Sequence, residues 1–134
     1  MMKKKYFHGN LIRKSLANTP QITFEITDAC NLDCVYCGYG KLYGDHDERA
    51  NNKLDIVKAK RMLDYLQVLY DSPLSQSHNN AVYLSFYGGE PLLNMPFTQA
   101  IVDYSKMLKN KKRKVLFSMT TNGLLLNKYL DFFS

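Results

Sequence analysis

Three thiols fall within eight consecutive positions of this chain, at Cys30, Cys34 and Cys37 of the segment "CNLDCVYCGYG", and the sequence has no other cysteine. Thiolates serve as metal ligands, redox partners or nucleophiles, and C-x3-C-x2-C spacing is open to more than one of these. A structural zinc site needs four ligands. His46, nine positions after Cys37, is a candidate fourth, though its loop lacks zinc-knuckle spacing. A thiol–disulfide pair would use Cys34 and Cys37 of "CVYC" and leave Cys30 without a task. An iron–sulfur cube takes cysteinates at its iron corners. With three cysteinates one iron stays open, and a small molecule can chelate it through an amine and a carboxylate. An open coordination position is what separates catalytic from closed structural metal sites.

The elements around the thiols can be read from hydrophobic period. Residues 21–27, "QITFEIT", alternate strictly, with Ile22, Phe24 and Ile26 on one face, and predict a strand that ends three residues before Cys30. The polar stretch 40–52 predicts a loop. From Lys53 to Tyr70 the apolar positions Ile56, Ala59, Leu63, Leu66 and Tyr70 recur at threes and fours, the pattern of an amphipathic helix. Residues 81–87, "AVYLSFY", predict a second strand, closed by "GGEP" at 88–91. A second helix is expected from Pro96 to Lys109. A third strand follows at 114–120, then "TNG" at 121–123, then a third helix in "LLLNKYLDFF". Strands alternating with helices predict a parallel α/β sheet. Ligands of such sheets gather at the carboxyl ends of the strands. The cysteine loop, "GGEP" and "TNG" all occupy that rim, which argues for one composite site.

Composition bounds the remaining possibilities. At 134 residues, 46% hydrophobic and 22% charged, the chain reads as one ordinary globular domain. No run reaches the ~18 apolar residues of a membrane helix. The first twenty residues are basic without the apolar segment of a secretory signal. An odd cysteine count argues against a disulfide framework and predicts a reducing, cytoplasmic setting. The net charge of +6 is concentrated in residues 1–20 and in "KMLKNKKRK" at 106–114. That second run reads as a solvated helix end suited to the helix dipole; a nucleic-acid patch is the alternative. His8, His46 and His78 stand in polar segments, where no catalytic task is expected of them.

The blocks "ITFEITDACNLDCVYC", "LSFYGGEPLL" and "SMTTNGLLL" together resemble the first three strands of the radical S-adenosylmethionine superfamily. They look most like its peptide- and protein-modifying branch, which includes anaerobic sulfatase-maturating enzymes and thioether-forming maturases of the SPASM type. The resemblance implies a TIM-like partial barrel, the first three βα units of a (βα)6 core, with residues 1–20 as a basic extension and 21–134 as the amino-terminal half of the core. It implies that Cys30, Cys34 and Cys37 ligate a [4Fe–4S] cluster whose fourth iron binds S-adenosylmethionine. Gly88, Gly89 and Glu90 match the motif that meets the methionyl amino group. Tyr36 matches the position whose backbone lies near the adenine, and Asn122 falls on the same rim. No catalytic side chain is implied, because the chemistry belongs mostly to the cofactor. The reduced cluster splits the sulfonium, and the resulting 5′-deoxyadenosyl radical abstracts hydrogen from a peptide or protein substrate. The implied partners are that substrate and an electron donor such as a flavodoxin or ferredoxin, with neither membrane nor nucleic acid among them. Three units are half of such a core, so a truncated, split or partial chain is expected.

Overall fold

The computed structural model describes residues 8–40, 42–43, 49–76, 81–108 and 112–134. The expectations placed on His46, His78 and Lys109 fall outside them. The elements run α1 (Gly9–Asn18), β1 (Gln21–Glu25), α2 (Ile56–Asp71), β2 (Ala81–Tyr87), a 3-10 turn (Pro91–Asn94), α3 (Met95–Met107), β3 (Lys114–Met119), a second 3-10 turn (Leu126–Tyr129) and α4 (Leu130–Phe133). The strands form one parallel sheet in the order β1-β2-β3. The architecture is therefore α/β with three consecutive βα units, a partial TIM-like barrel.

Strand register explains the two faces. Phe24 stands beside Phe86, and Leu84 beside Phe117. Phe24, Leu84 and Phe86 are buried with Ala59 and Leu63 of α2 and Phe97, Ile101 and Val102 of α3. The period-two and period-3.6 patterns thus meet in a single core. The alternate positions face away from these helices and are mostly polar, with Ala81 and Leu116 the exceptions. Gln21 Nε2 donates to Ser85 Oγ at 2.8 Å, and Ser85 and Ser118 hydroxyls lie 2.5 Å apart. One face of the sheet is covered by helices over β1 and β2 and stays partly open at β3, where Phe117 is exposed, while the other presents hydroxyls, amides and the half-exposed Tyr83 and Tyr87.

Beyond shifts of one or two residues at the ends of α2, α3 and β3, four features differ from expectation. The first strand ends at Glu25 rather than residue 27, because Thr27 leaves the sheet to form an antiparallel bridge with Lys53. The same bridge delays the first crossover helix from residue 53 to Ile56. Asp55 then caps it, its carboxylate accepting from Val57 N at 2.7 Å and Lys58 N at 3.1 Å. The expected third helix is a 3-10 turn followed by four α-helical residues. Finally, residues 9–18, within the expected basic extension, form a helix. Leu16 of α1 packs on Leu66, Tyr70 and Val82, and Asn18 ties it to the turn after α2, donating to Leu74 O and accepting from Gln76 N, both at 2.8 Å.

In the basic run Lys106, Lys112 and Lys114 are exposed as expected, and Arg113 alone of the described cations departs from the solvated reading. It is buried, donates to Ala81 O at 2.8 Å and sits 4.8 Å over the Tyr70 ring. It fastens the start of β3 to the start of β2 and to α2, which makes it a structural cation.

Candidate cofactor site

Parallel pairing puts the carboxyl ends of all three strands on one rim, and the three loops leaving that rim are stitched into a closed triangle. The loop after β2 is joined to the loop after β1 chiefly by backbone: Gly89 N donates to Thr27 O at 2.8 Å and Glu90 N to Ala29 O at 2.7 Å, and Asn94 Nδ2 adds a bond to Ile26 O at 2.8 Å. The loop after β3 is joined to β2 through the Glu90 carboxylate. Thr121 Oγ1 donates to Glu90 Oε1 at 2.7 Å, and Asn122 N donates to Oε2 at 2.8 Å. The third side is Asn122 Nδ2 donating to Asn31 Oδ1 at 2.8 Å, next to the first cysteine.

Glycine is required at two of these joints. Gly88 has φ +134°, which side-chain-bearing residues rarely adopt, and a Cβ there would lie 2.2 Å from Thr27 O. A Cβ on Gly89 would meet Ala29 O at 2.2 Å and Asp28 O at 2.6 Å. Gly40 is the third close approach, with Cys37 O 2.8 Å and Cys34 O 3.0 Å from its would-be Cβ. It lets the cysteine loop fold back on itself, with Cys37 N on Cys34 O at 3.1 Å and Gly40 N on Cys37 O at 2.7 Å.

The three cysteines are free and partly buried. All three line one pocket of about 230 Å³, with Leu32, Tyr36 and Arg49 beside them, Tyr87 and Gly89 at the end of β2, and Asn122 from the loop after β3. The structure thus brings together Cys30, Cys34, Cys37, Tyr36, Gly89 and Asn122 of the sequence-derived set. Gly88 and Glu90 are not in the pocket lining. Glu90 is fully buried, and its Oε1 also accepts from Leu92 N at 2.8 Å. Three of the four lone-pair positions of the carboxylate are filled by its own chain. Glu90→Ala strands three donors around a buried hole and is expected to cost about 3 kcal/mol of stability. A denaturant melt should show the loss, and Glu90→Gln, which keeps an acceptor for Thr121 and Leu92, should show less of it.

Among the described residues, no three His, Cys, Asp or Glu side chains close on a point where they could hold a single metal ion. A cubane imposes no such demand, since its cysteinates attach to separate irons. Three soft donors free of disulfide bonds on one partly sheltered pocket fit that group.

Tyr36 is 82% exposed, and a hydrogen bond to Cys34 pushes its hydroxyl above the ordinary phenol range. Sequence reading missed Arg49, whose Nη2 donates to Cys37 Sγ at 3.0 Å, and Thr121. It also gave Tyr39 no part. The Tyr39 hydroxyl donates to Glu25 Oε1, a bond that holds its pKa up at about 12. A lone arginine inside a polar loop carries no periodic or motif signal that would have singled it out.

Among the described residues no helix is long and apolar enough to cross a membrane. A family model described as the radical SAM superfamily matches residues 24–134. An uncharacterized protein of Methanocaldococcus jannaschii is 32% identical over 108 residues, covering 80% of this chain and 32% of that protein. The radical SAM cyclopropyl synthase TigE of Paramaledivibacter caminithermalis is 27% identical over 109 residues, 78% of this chain and 22% of the relative. A GTP 3',8-cyclase of Clostridium acetobutylicum is 34% identical over 119 residues, 87% of this chain and 31% of the relative. The chain spans a third or less of the length of these relatives. With the matched region running from the end of β1 through every loop of the rim, the chain belongs to the radical SAM superfamily.

Proposed function

We propose that Cys30, Cys34 and Cys37 ligate three irons of a [4Fe–4S] cluster and that S-adenosylmethionine binds across the rim beside them. Members of the superfamily bind both groups, and membership implies S-adenosylmethionine-dependent radical chemistry with an iron–sulfur cluster. The observation that carries the residue assignment is the single pocket lined by all three thiols together with Gly89 and Asn122. When bound, the cluster supplies the electron that splits the sulfonium and so generates the hydrogen-abstracting radical.

The chain's own residues then have distinct tasks. Gly88 and Gly89 bring the β2 end against the cysteine loop, so that backbone rather than side chain faces the methionyl end. Glu90, fully buried with its carboxylate on Leu92, Thr121 and Asn122, acts as a positioning residue that holds the loop after β3 against the β2 end that meets the methionyl ammonium. The backbone at Tyr36 borders the adenine. Residues 21–134 act as the cofactor-binding half of the core, and the electron comes from a partner such as a flavodoxin or ferredoxin in the cytoplasm.

The relatives' names refer to different reactions over the same stretch of sequence. What they share is therefore the cofactor machinery, not a substrate. Motif resemblance supports a peptide or protein substrate for the whole enzyme. The cyclase relatives favour a second reading, a purine nucleotide. Saturable GTP binding by the loaded chain supports the second; its absence favours the first. The cofactor assignment is tested by electron paramagnetic resonance of the reduced, reconstituted chain. Added S-adenosylmethionine is expected to change the cluster spectrum, because it occupies the open iron. An unchanged spectrum at saturating cofactor overturns the assignment.

A further inference from the structure

We infer that Arg49 sets the reduction potential of the cluster through Cys37, an inference that rests on Cys37 being a ligand as proposed above. The guanidinium is partly buried, and its Nη2 lies 3.0 Å from Cys37 Sγ. Its Nε is buried and has no partner among the described residues, so the side chain's one hydrogen bond to a described side chain is the one to sulfur. Such a contact is charge-assisted when the sulfur is a thiolate.

Three features hold the guanidinium there. The segment that carries it is pinned to the loop after β1, with Ala50 N donating to Asp28 Oδ2 at 3.2 Å and Asn52 Nδ2 to the same oxygen at 2.9 Å. Thr27 Oγ1 and Asp28 N both donate to Asn52 O. The guanidinium also lies over the Tyr39 ring, 5.4 Å from its centroid, which suits the planar arginine head. Tyr39 is in turn fixed by its hydroxyl on Glu25. The chain spends an aromatic, a strand-end carboxylate and a pinned loop on aiming one cation at one sulfur.

Hydrogen bonds to the ligand sulfurs and nearby charge are the protein's main levers on cluster potential. The reduced cluster carries one more negative charge than the oxidised one. A fixed cation at a ligand sulfur therefore stabilises the reduced form more and raises the potential. Arg49 is a positioning and tuning residue; it takes no proton and touches no reacting carbon.

The test is a redox titration, followed by electron paramagnetic resonance, of the anaerobically reconstituted chain without S-adenosylmethionine. Arg49→Ala is expected to keep its full iron and sulfide content and to favour the oxidised form about tenfold, ~59 mV lower for a one-electron couple. Arg49→Lys, which keeps the charge, should recover most of that shift. Equal potentials in wild type and Arg49→Ala overturn the inference and leave the ligand assignment standing. So does failure of both variants to assemble the cluster, since Arg49 then serves assembly rather than tuning. A wild-type chain that assembles no cluster overturns the ligand assignment itself.

Discussion

Gly89→Ala is expected to leave a chain with no cooperative thermal transition by circular dichroism. The added methyl would stand 2.2 Å from Ala29 O and 2.6 Å from both Ala29 C and Asp28 O. These are backbone atoms, so no side chain can swing aside. Nor can the two segments simply part, because Gly89 N and Glu90 N are bonded to Thr27 O and Ala29 O across the same gap. Opening it breaks those bonds and releases the Glu90 carboxylate from Thr121 and Asn122. A cost of about 4 kcal/mol or more is in the range reserved for lost networks and severe overpacking. Whole domains have only about 5–15 kcal/mol to lose. Gly38→Ala is the control: its methyl would meet nothing within 4 Å, and its melting curve should match the wild type. A cooperative Gly89→Ala melt within a few degrees of wild type would mean that the loops do not meet as closely as described.

Cys34→Ala has the largest expected effect on function. The thiol is partly buried in the loop, outside the apolar core, so the fold should survive and the far-ultraviolet spectrum should be unchanged. Reconstituted iron is expected to fall from about four per chain to less than one, since two cysteinates cannot hold a cube whose ordinary ligation is four. Retention of wild-type iron by a folded Cys34→Ala chain would remove Cys34 from the ligand set. The pairing of the two variants separates fold from site: Gly89→Ala loses the rim that arranges the loops, while Cys34→Ala loses one donor from an intact rim.

The parallel α/β order was readable because its strands and helices bury one face each. Ile22 and Phe24 announce a strand by alternation, and Ala59, Leu63 and Leu66 announce a helix by their spacing. The site was legible for a different reason, since three cysteines in eight positions admit few chemistries. What stayed hidden depended on contacts distant in sequence. Nothing local in "GGEP" says that Glu90 will accept from Thr121 and Asn122, or that the glycines are needed where Thr27 and Ala29 press against them. Helix α1 was missed because Arg13 and Lys14 break up its apolar stripe, and its seat against Leu66 and Tyr70 exists only after α2 has folded. Arg113 misled for a related reason: in sequence it is one of a run of cations, and only the fold puts the Tyr70 ring beneath it.

Iron and acid-labile sulfide in the anaerobically reconstituted wild-type chain, read with its reduced-state electron paramagnetic resonance spectrum, test the central claim most directly. About four irons and four sulfides per chain, with a cubane signal on reduction, are expected of three cysteinates holding a [4Fe–4S] cluster. One zinc per chain, no sulfide and no such signal would contradict it.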